Sequence, residues 1–424
     1  MTPAFSRRRA LRSSLALAGA ALSLPSCTAL TRGFFAPERP TTPLVGTRAF
    51  VRRMFEGLDR RRVWDSHLHV LGDGKSGTGC WVNPRFYSYP GRFLYDMYLG
   101  SGGVPDTPDA EQRYVDLFVK LHTLMNDDGR VLALAFDYAV REDGTVDESV
   151  SEFYTPNTWV KQIADRHRSV LPVGSIHPYR ADAVDTLDAL VEQGFVGIKW
   201  LPNAQRIDTT SPRCDRFFDR LAHHELPLIV HAGHEAAAES EGGQAFGNVL
   251  RLRRALDRGV RVVVAHCAGL GEDEDIDAKE GERRVMESYD LFRRLMGEKQ
   301  YEGRLFADIS AMTQVNRAFR PLRETIVDTE LHPRLVNGSD FPLPAVRGLV
   351  SAFFLEKLGY LTRDDRIHCE RIARKNALLY DFCVKRALTV DDGQTLHRFS
   401  DEVFESARVF AHLPAVKAIL PRAT

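Results

Sequence analysis

The chain has 424 residues, of which 44% are hydrophobic and 27% are charged, so it is long and apolar enough to bury a large core. It carries 57 basic and 57 acidic residues, and this balance argues against a nucleic acid as a partner, because such partners require a basic surface. Its six cysteines show no CxxC spacing and indicate neither a disulfide framework nor a zinc knuckle.

The first 27 residues have the order of an export signal. An arginine pair within residues 6–12 resembles a twin-arginine motif, and an apolar stretch at residues 15–24, too short to span a bilayer, follows it. Residues 24–27 resemble a lipoprotein processing box. The alternative is a disordered basic N-terminus. We therefore predict an exported protein, periplasmic or anchored to the membrane by a lipidated Cys27, whose mature form has 53 basic and 57 acidic residues.

Residues 28–62 predict a tether that leads into a helix near residues 49–58. Eight segments of the following chain are typical of short buried strands, because most are apolar runs rather than alternations, and stretches of helical character separate them. These segments are residues 63–70, 131–140, 171–178, 195–202, 227–234, 261–269, 305–312 and 334–342. The pattern predicts an α/β fold, a (β/α)₈ TIM barrel over residues 63–385, with a C-terminal helical extension at residues 386–424.

A long connection follows the first predicted strand, from about residue 71 to residue 109. It holds several glycines and then the aromatic residues Trp81, Phe86, Tyr87, Tyr89, Phe93, Tyr95 and Tyr98. A loop of this length and composition at the catalytic face of a barrel predicts a lid or pocket wall. The alternative is a surface loop that packs on its own aromatic side chains.

Two histidines, His67 and His69, end the first predicted strand. Residues i and i+2 of a strand point to the same side, so both imidazoles should face the barrel axis, with Asp65 one step deeper. Two neutral imidazoles at this spacing can chelate a divalent transition ion. The alternative for an isolated His-x-His is a pair of ordinary polar residues at a strand end.

Later strands end in polar residues of matching types. His231 and His266 each end an apolar run, and Asp340 follows the last strand, where an unpaired carboxylate would be costly. Lys199 lies between Ile198 and Trp200, and burial among such neighbours lowers a lysine pKa, so that the free amine can add carbon dioxide to become a carbamate. The alternative is a lysine paired with a carboxylate of the protein or substrate.

This ordered set resembles the amidohydrolase superfamily, specifically the amidohydrolase-related branch that includes decarboxylases and metal-dependent hydrolases. The matching positions are His67, His69, Lys199, His231, His266 and Asp340, with Asn376-Ala377 in the closing helix. The resemblance extends from about residue 63 to residue 382 and implies a divalent metal cofactor, one or two ions, with zinc expected.

The resemblance implies two alternative metal arrangements. In two-metal members, the first ion is bound by His67, His69 and Asp340. The second ion is then bound by His231 and His266, and carboxylated Lys199 bridges the two. In one-metal members, His231 joins the first three ligands, His266 acts as acid or base, and the lysine has no such role.

We therefore interpret the chain as a metal-dependent hydrolase that uses a metal-activated water on an amide, lactone or ester of a small molecule, with Asp340 as the proton shuttle. The alternatives are a mononuclear metal-dependent decarboxylase and a non-catalytic lipid-anchored binding protein. Arg180, Asn203 and His234 follow predicted strands and are candidate substrate-binding residues. A homo-oligomer is compatible with the sequence but not indicated by it.

Overall fold

The computed structural model describes residues 45–420, except for residues 90, 102, 104–106, 236–241, 280–281, 283 and 347. The predicted export signal and the predicted tether up to residue 44 lie outside the described residues. Within the described part of the chain, no helix is both long enough and apolar enough to cross a membrane.

Eight short parallel strands form the centre of the molecule, and each overlaps one of the segments predicted from the sequence. Most are runs of Val, Leu, Ile and Ala that are buried on both faces, as expected where helices cover the outside and side chains fill the interior. The strands are β1 Trp64–His69, β2 Arg130–Leu134, β3 Val170–Val173, β4 Ile198–Trp200, β5 Leu228–His231, β6 Val262–Ala265, β7 Leu305–Asp308 and β8 Leu335–Val336.

The strands pair in chain order, β1 to β3 in one sheet and β4 to β8 in another. Two further parallel links join these sheets into a barrel. Between β3 and β4, Gly174 pairs with Ile198, and the backbone N of Lys199 donates to Gly174 O at 2.7 Å. Between β8 and β1, Leu68 pairs with Phe341. The predicted (β/α)₈ barrel is thus confirmed, and the carboxyl ends of its strands meet at one end.

Helices form the outer layer of the barrel. In helix Asp215–His223, for example, Phe217, Phe218 and Leu221 lie on one face and are buried, and Phe217 stacks on Trp200 of β4. The α-helices are Val45–Met54, Gly91–Ser101, Ala110–Asn126, Asn157–Arg166, Ala183–Glu192, Pro202–Gln205, Asp215–His223, Arg253–Asp257, Ser288–Met296, Arg320–Val327, Ala352–Lys357, Arg363–Ala373, Ala377–Ala387, Asp401–Phe404, Ala407–Phe410 and Pro414–Lys417.

Short 3₁₀ turns and two-stranded ribbons complete the secondary structure. The turns are Pro84–Tyr87, Pro212–Cys214, Gln244–Gly247, Val249–Leu252, His266–Ala268, Lys299–Tyr301, Thr329–Arg334 and Leu343–Ala345. The ribbons pair Trp81–Val82 with Phe153–Tyr154, Glu272–Glu274 with Val285–Glu287, and Val390–Asp391 with Leu396–His397, all antiparallel. The five cysteines in the described part of the chain are unpaired and buried.

The connection after β1 is a packed wall rather than an open loop. Its short strand Trp81–Val82 pairs with Phe153–Tyr154, and helix Gly91–Ser101 follows. Val82, Phe86, Tyr95 and Leu99 form a small apolar core of their own. The connection therefore packs on its own apolar side chains, as one prediction expected, and its helix Gly91–Ser101 also lines the cavity, as the prediction of a pocket wall expected.

The C-terminal extension covers the opposite end of the barrel. Ser406 Oγ accepts from the backbone N of Asn337 at 2.9 Å, Ala407 N donates to Arg62 O at 3.2 Å, and Phe410 stacks on Trp64. Arg62 and Trp64 lie at the amino end of β1, Asn337 directly follows β8, and Arg408 donates to the backbone O of Leu335, the first residue of β8. The predicted helical extension at residues 386–424 contains a hairpin and three short helices.

The closing helix, in which the sequence analysis placed Asn376 and Ala377, is Ala377–Ala387, and a division separates it from the preceding helix Arg363–Ala373. Asn376 causes the division by capping the second helix, where its Oδ1 accepts from the backbone N of Leu379 at 2.9 Å. The first helix in the described part of the chain is Val45–Met54, which begins several residues earlier than predicted.

Candidate metal centre

His67 lies near the carboxyl end of β1 with its side chain fully enclosed. Its Nδ1 donates to Oδ2 of Asp308 at 2.8 Å, so the ring proton is held on Nδ1 and Nε2 keeps its lone pair. Burial, together with the charge of Lys199, lowers the pKa of His67 and keeps the ring neutral near pH 7. The His69 ring lies 5.1 Å from the His67 ring, as expected for residues on one side of a strand. Both rings are available to a shared ligand.

Asp308, the last residue of β7, organises this centre, and the sequence analysis missed it. Besides His67, it accepts from the backbone N of His266 and of Ser310, each at 3.0 Å. Burial alone would raise the pKa of Asp308, but the contacts with His67 and His266 hold this pKa far below its usual range. The signal in the sequence was an aspartate inside an apolar run, since an enclosed carboxylate needs partners.

A left-handed turn after β8 brings Asp340 beside the histidines. Asp340 has φ 59°, and its backbone N donates to His67 O at 2.7 Å. Two residues earlier, a Cβ on Gly338 would lie 2.6 Å from the Cβ of His67, so this approach requires glycine. Oδ1 of Asp340 lies 3.2 Å from His69 Nε2 and 3.7 Å from His67 Nε2. Burial alone would raise the pKa of Asp340, but the interactions with His69, His67 and Lys199 lower this pKa to about 2. The carboxylate is therefore ionised near pH 7.

His266 follows β6 in an unusual backbone conformation. His266, Cys267 and Ala268 have φ values of 56°, 49° and 45°, a left-handed turn that non-glycine residues adopt at a cost of roughly 1–2 kcal/mol each. His266 Nδ1 contacts the backbone O of Ser310 at 3.1 Å, and its Nε2 lies 4.0 Å from Oδ2 of Asp340. Burial lowers the pKa of His266 well below its ordinary value. The strained turn therefore presents a neutral imidazole to Asp340.

His231, the last residue of β5, has a polar partner at only one of its two ring nitrogens among the described residues. Its Nδ1 lies 3.3 Å from Oε2 of Glu235, while its buried Nε2 has no hydrogen-bond partner among the described residues. Burial lowers the pKa of His231 to about 4. A neutral imidazole with an unused buried nitrogen is costly unless a ligand completes it.

Lys199 lies in β4 and is 1% exposed. Its Nζ is 3.1 Å from His67 Nε2, and no carboxylate oxygen lies within 4.0 Å of it in the part of the chain that the structure describes. Pairing of Lys199 with a protein carboxylate is therefore not found among the described residues, and pairing with a substrate carboxylate stays a prediction. Burial lowers the pKa of Lys199 to about 8, so an appreciable fraction of this side chain is the neutral amine near pH 7.

These side chains fit a divalent metal ion. One ligand atom each from His67, His266 and Asp340 lie within 4.8 Å of one another. His69 borders Asp340, and the His231 ring lies 5.3 Å from the His266 ring, with the orphaned Nε2 of His231 still available. Neutral imidazoles and one ionised carboxylate are the donor set that suits zinc and similar ions.

The centre forms one wall of a cavity of about 280 Å³. His69, Lys199, His231, His266 and Asp340 all contribute to its lining. The facing wall is mainly apolar and comes from helix Gly91–Ser101 and from side chains after β2 and β4. Three further polar side chains, Gln314, Asn316 and Arg317, lie between β7 and helix Arg320–Val327 and also line the cavity, as do Thr155 and Glu235.

The three predicted substrate-binding residues do not line this cavity. Arg180 forms ion pairs with Asp137 at 3.0 Å and Asp182 at 2.8 Å. Asn203 is buried and its Nδ2 donates to Gly233 O at 3.1 Å, so it ties two loops together. His234 is exposed, and its backbone N donates to Leu270 O. Their substrate-binding role remains a prediction that the lining of the cavity does not favour.

A family model described as Amidohydrolase matches residues 64–378, from β1 into helix Ala377–Ala387. The chain therefore belongs to the amidohydrolase family, which confirms the resemblance found in the sequence. No curated protein sequence matches the chain.

Several solved structures are similar to the chain. An uncharacterised TIM-barrel protein from Bordetella bronchiseptica is 15% identical, with 76% of this chain and 99% of that chain covered and a TM-score of 0.45. A probable 2-pyrone-4,6-dicarboxylic acid hydrolase from Acinetobacter baumannii is 14% identical, with 76% and 95% covered and a TM-score of 0.41. A 5-carboxyvanillate decarboxylase from Sphingomonas paucimobilis is 11% identical, with 83% and 98% covered and a TM-score of 0.45.

Proposed function

We propose that this chain is a metal-dependent hydrolase that acts on an amide, lactone or ester of a small molecule. The observation that carries the proposal is the convergence of ligand atoms from His67, His266 and Asp340 within 4.8 Å, at the wall of a cavity. A divalent ion bound there, with zinc as the expected metal, supplies Lewis-acid polarisation and a water of lowered pKa.

The side chains of the centre have distinct tasks in this proposal. Asp340 is ionised and can take a proton at Oδ1, beside His69, and return it to the leaving group. His266 is a second acid or base, with its Nε2 4.0 Å from Oδ2 of Asp340. Asp308 holds the imidazole of His67 in the tautomer that leaves Nε2 free.

Two metal arrangements fit these residues. With two ions, carboxylated Lys199 bridges the pair, and His231 and His266 hold the second ion. With one ion, His231 completes the set of His67, His69 and Asp340, and His266 remains free for proton transfer. The short approach of Lys199 to His67, at 3.1 Å, is compatible with both arrangements, so Lys199 is the residue to test.

The proposal is tested by elemental analysis of the purified protein together with a screen of amide, lactone and ester substrates. We expect about one or two divalent ions per chain and hydrolysis of at least one substrate class. Asp340→Asn and His69→Ala should abolish turnover or lower bound metal while the protein stays folded, because barrel stability resides away from the catalytic face.

The matched control is an exposed histidine–aspartate pair, His397 with Asp392, whose atoms lie 2.7 Å apart in the C-terminal hairpin. His397→Ala and Asp392→Asn should keep full metal content and turnover. Full activity in Asp340→Asn would contradict the proposal. Release of carbon dioxide without hydrolysis, at about one ion per chain, would favour decarboxylation instead.

We also propose that the chain is exported and held at a membrane by a lipidated Cys27, with a small molecule as its substrate. The support is the order of arginine pair, apolar stretch and cysteine in residues 1–27, which lie outside the described residues.

A further inference from the structure

Arg317 is a buried cation beside the metal centre. It follows β7, lines the same cavity as Lys199, His266 and Asp340, and is only 7% exposed. A guanidinium stays charged at every physiological pH, so enclosing it without a counter-ion is expensive. A buried guanidinium of this kind is therefore expected to have a carboxylate or another anion as its partner.

No carboxylate oxygen lies within 4.0 Å of Arg317 among the residues that the structure describes. Its Nη1 donates to Oε1 of Gln314 at 3.2 Å, which is a neutral acceptor, and its buried Nε has no hydrogen-bond partner. Gln314 is 3% exposed, and its buried Nε2 also lacks a partner. Two adjacent side chains thus hold unused hydrogen-bond donors at the cavity wall.

The nearby carboxylates attract Arg317 only from a distance, because they serve other groups. Glu235 lies 3.3 Å from His231, Asp340 lies 3.2 Å from His69, and Asp308 accepts from His67. All three contribute to the electrostatic field at Arg317, yet none pairs with it directly. No direct partner is therefore found among the residues that the structure describes, and we expect a ligand to supply it.

The other side chains that line the cavity indicate that the body of that ligand is apolar. Leu94, Met97 and Tyr98 of helix Gly91–Ser101 line it, together with Phe136 and Leu201. These side chains offer a large apolar surface and few hydrogen-bond donors. A doubly charged phosphate would need more positive charge than one guanidinium beside the amides of Gln314 and Asn316 supplies, whereas a single carboxylate matches the planar fork of an arginine.

We propose that Arg317 and Gln314 form a carboxylate subsite, so that the substrate is a small monocarboxylic acid with an apolar body. Its carboxylate binds Arg317 and Gln314, its apolar body lies against helix Gly91–Ser101, and its scissile group lies at the metal centre. This inference rests on the proposed function for the identity of the scissile group but not for the binding of the carboxylate.

The subsite is tested by binding rather than by turnover. The purified metal-loaded protein is titrated calorimetrically with benzoate and hexanoate, and with their neutral counterparts benzyl alcohol and hexan-1-ol. We expect the carboxylates to bind at least roughly tenfold more tightly than the alcohols, since a charge-assisted hydrogen bond in an enclosed site raises the binding affinity by about that factor or more. Phenyl phosphate is titrated in parallel.

Arg317→Met and Gln314→Leu should each reduce the preference for carboxylates, and Arg317→Met should remove most of it. Arg323→Met is the matched control, because Arg323 is an exposed arginine of the adjacent helix Arg320–Val327, and it should keep the preference. Arg317→Met should also melt no lower than the unaltered protein, because it removes a buried charge that lacks a partner. A merely structural arginine would instead lower the melting temperature.

Each other outcome overturns the subsite. A carboxylate preference that survives in Arg317→Met would locate the acid at the metal ions, and tighter binding of phenyl phosphate would favour a phosphate site. Equal binding of acids and alcohols to the unaltered protein would also contradict it. Loss of metal in the elemental analysis would count against the proposed hydrolase instead, so the two failures are distinguishable.

Discussion

At the scale of single residues, the centre depends on which ring nitrogen of each histidine carries the proton. Asp308 decides this for His67 by accepting from Nδ1 at 2.8 Å, and Ser310 contacts Nδ1 of His266 at 3.1 Å. Both imidazoles therefore keep Nε2 for a ligand. A carboxylate that orients a metal-binding histidine fixes its tautomer and raises the basicity of the ring, and its loss weakens metal binding.

We expect Asp308→Asn to lower metal affinity by roughly 10- to 100-fold. The amide must either donate to Nδ1 of His67, which moves the ring proton to Nε2, or turn its amino group toward the backbone donors of His266 and Ser310. The measurement is metal affinity in a competition titration with a chelator. Asp137→Asn is the control, because Asp137 is equally buried but pairs with Arg180; equal losses in both variants would refute the orienting role.

Lys199 distinguishes the two metal arrangements. If it is carboxylated, Lys199→Ala should lose one ion and most activity, and a short carboxylic acid added in solution should restore part of both by taking the bridging position. If one ion suffices, the variant should keep its metal and ignore the acid, and His266→Ala should lower the rate without lowering metal content. Elemental analysis and rate measurements, with bicarbonate controls, separate these results.

At the scale of elements, helix Ala110–Asn126 contains a polar group that the fold does not satisfy. His122 is fully buried, and although the backbone of Arg130 lies near its ring, neither ring nitrogen meets the geometry of a hydrogen bond among the described residues. Burial lowers its pKa to about 4, below the ordinary value of 6.5. The unfolded chain therefore binds more protons than the folded one between these two values, so stability rises with pH through that window.

We expect His122→Leu to raise the free energy of unfolding at pH 7 by about 1–3 kcal/mol, the cost of an unsatisfied buried polar group. It should also flatten the loss of stability on acidification from about pH 6.5 to about pH 4, which for this residue amounts to roughly 3 kcal/mol. Denaturant unfolding across this pH range provides both readouts. A variant less stable than the unaltered protein, with an unchanged pH slope, would contradict the argument.

The matched control is His332, a buried histidine with both nitrogens satisfied. Its Nε2 donates to Thr325 O at 3.1 Å, and its Nδ1 accepts from the backbone N of Ser400 at 3.2 Å. His332→Leu should destabilise the protein, because it removes two hydrogen bonds and leaves their partners unpaired. The contrast isolates the effect of hydrogen bonding from that of side-chain size.

At the scale of the whole molecule, the two ends of the barrel have different tasks. The carboxyl ends of the strands carry the candidate metal centre and the wall formed by the connection after β1, whereas the C-terminal extension covers the amino ends of β1 and β8 through Phe410 and Arg408. The separation lets the extension stabilise the barrel without contacting the cavity.

Export is the prediction that belongs to the whole chain. Arg7→Lys combined with Arg8→Lys should trap the precursor in the cytoplasm of a bacterial host, and Cys27→Ser should yield soluble or unprocessed protein instead of a membrane-associated form. Arg12→Lys, outside the pair, should be exported normally. Cell fractionation and the mass of the mature N-terminus give the readout, and an unmodified Cys27 with cleavage elsewhere would leave a soluble periplasmic protein.

The sequence alone determined the fold and the types of residue at the centre. Apolar runs such as Leu228–His231 are local signals, and a polar residue that ends such a run must reach the barrel mouth once the run is a parallel strand. The sequence could therefore identify His67, His69, Lys199, His231, His266 and Asp340, because their positions depend only on the strands that carry them.

Only the tertiary structure decided which polar residues act together. Asp308 contacts His67, which lies 241 residues away in the chain. Arg317 lines the cavity, whereas Arg180, which the sequence analysis chose as a substrate-binding candidate, pairs with two aspartates. Arginines in loops look alike in a sequence, because their burial and partners are set by how distant loops pack. The physical reason is that strand order follows from local patterns, whereas side-chain pairing follows from closure of the barrel.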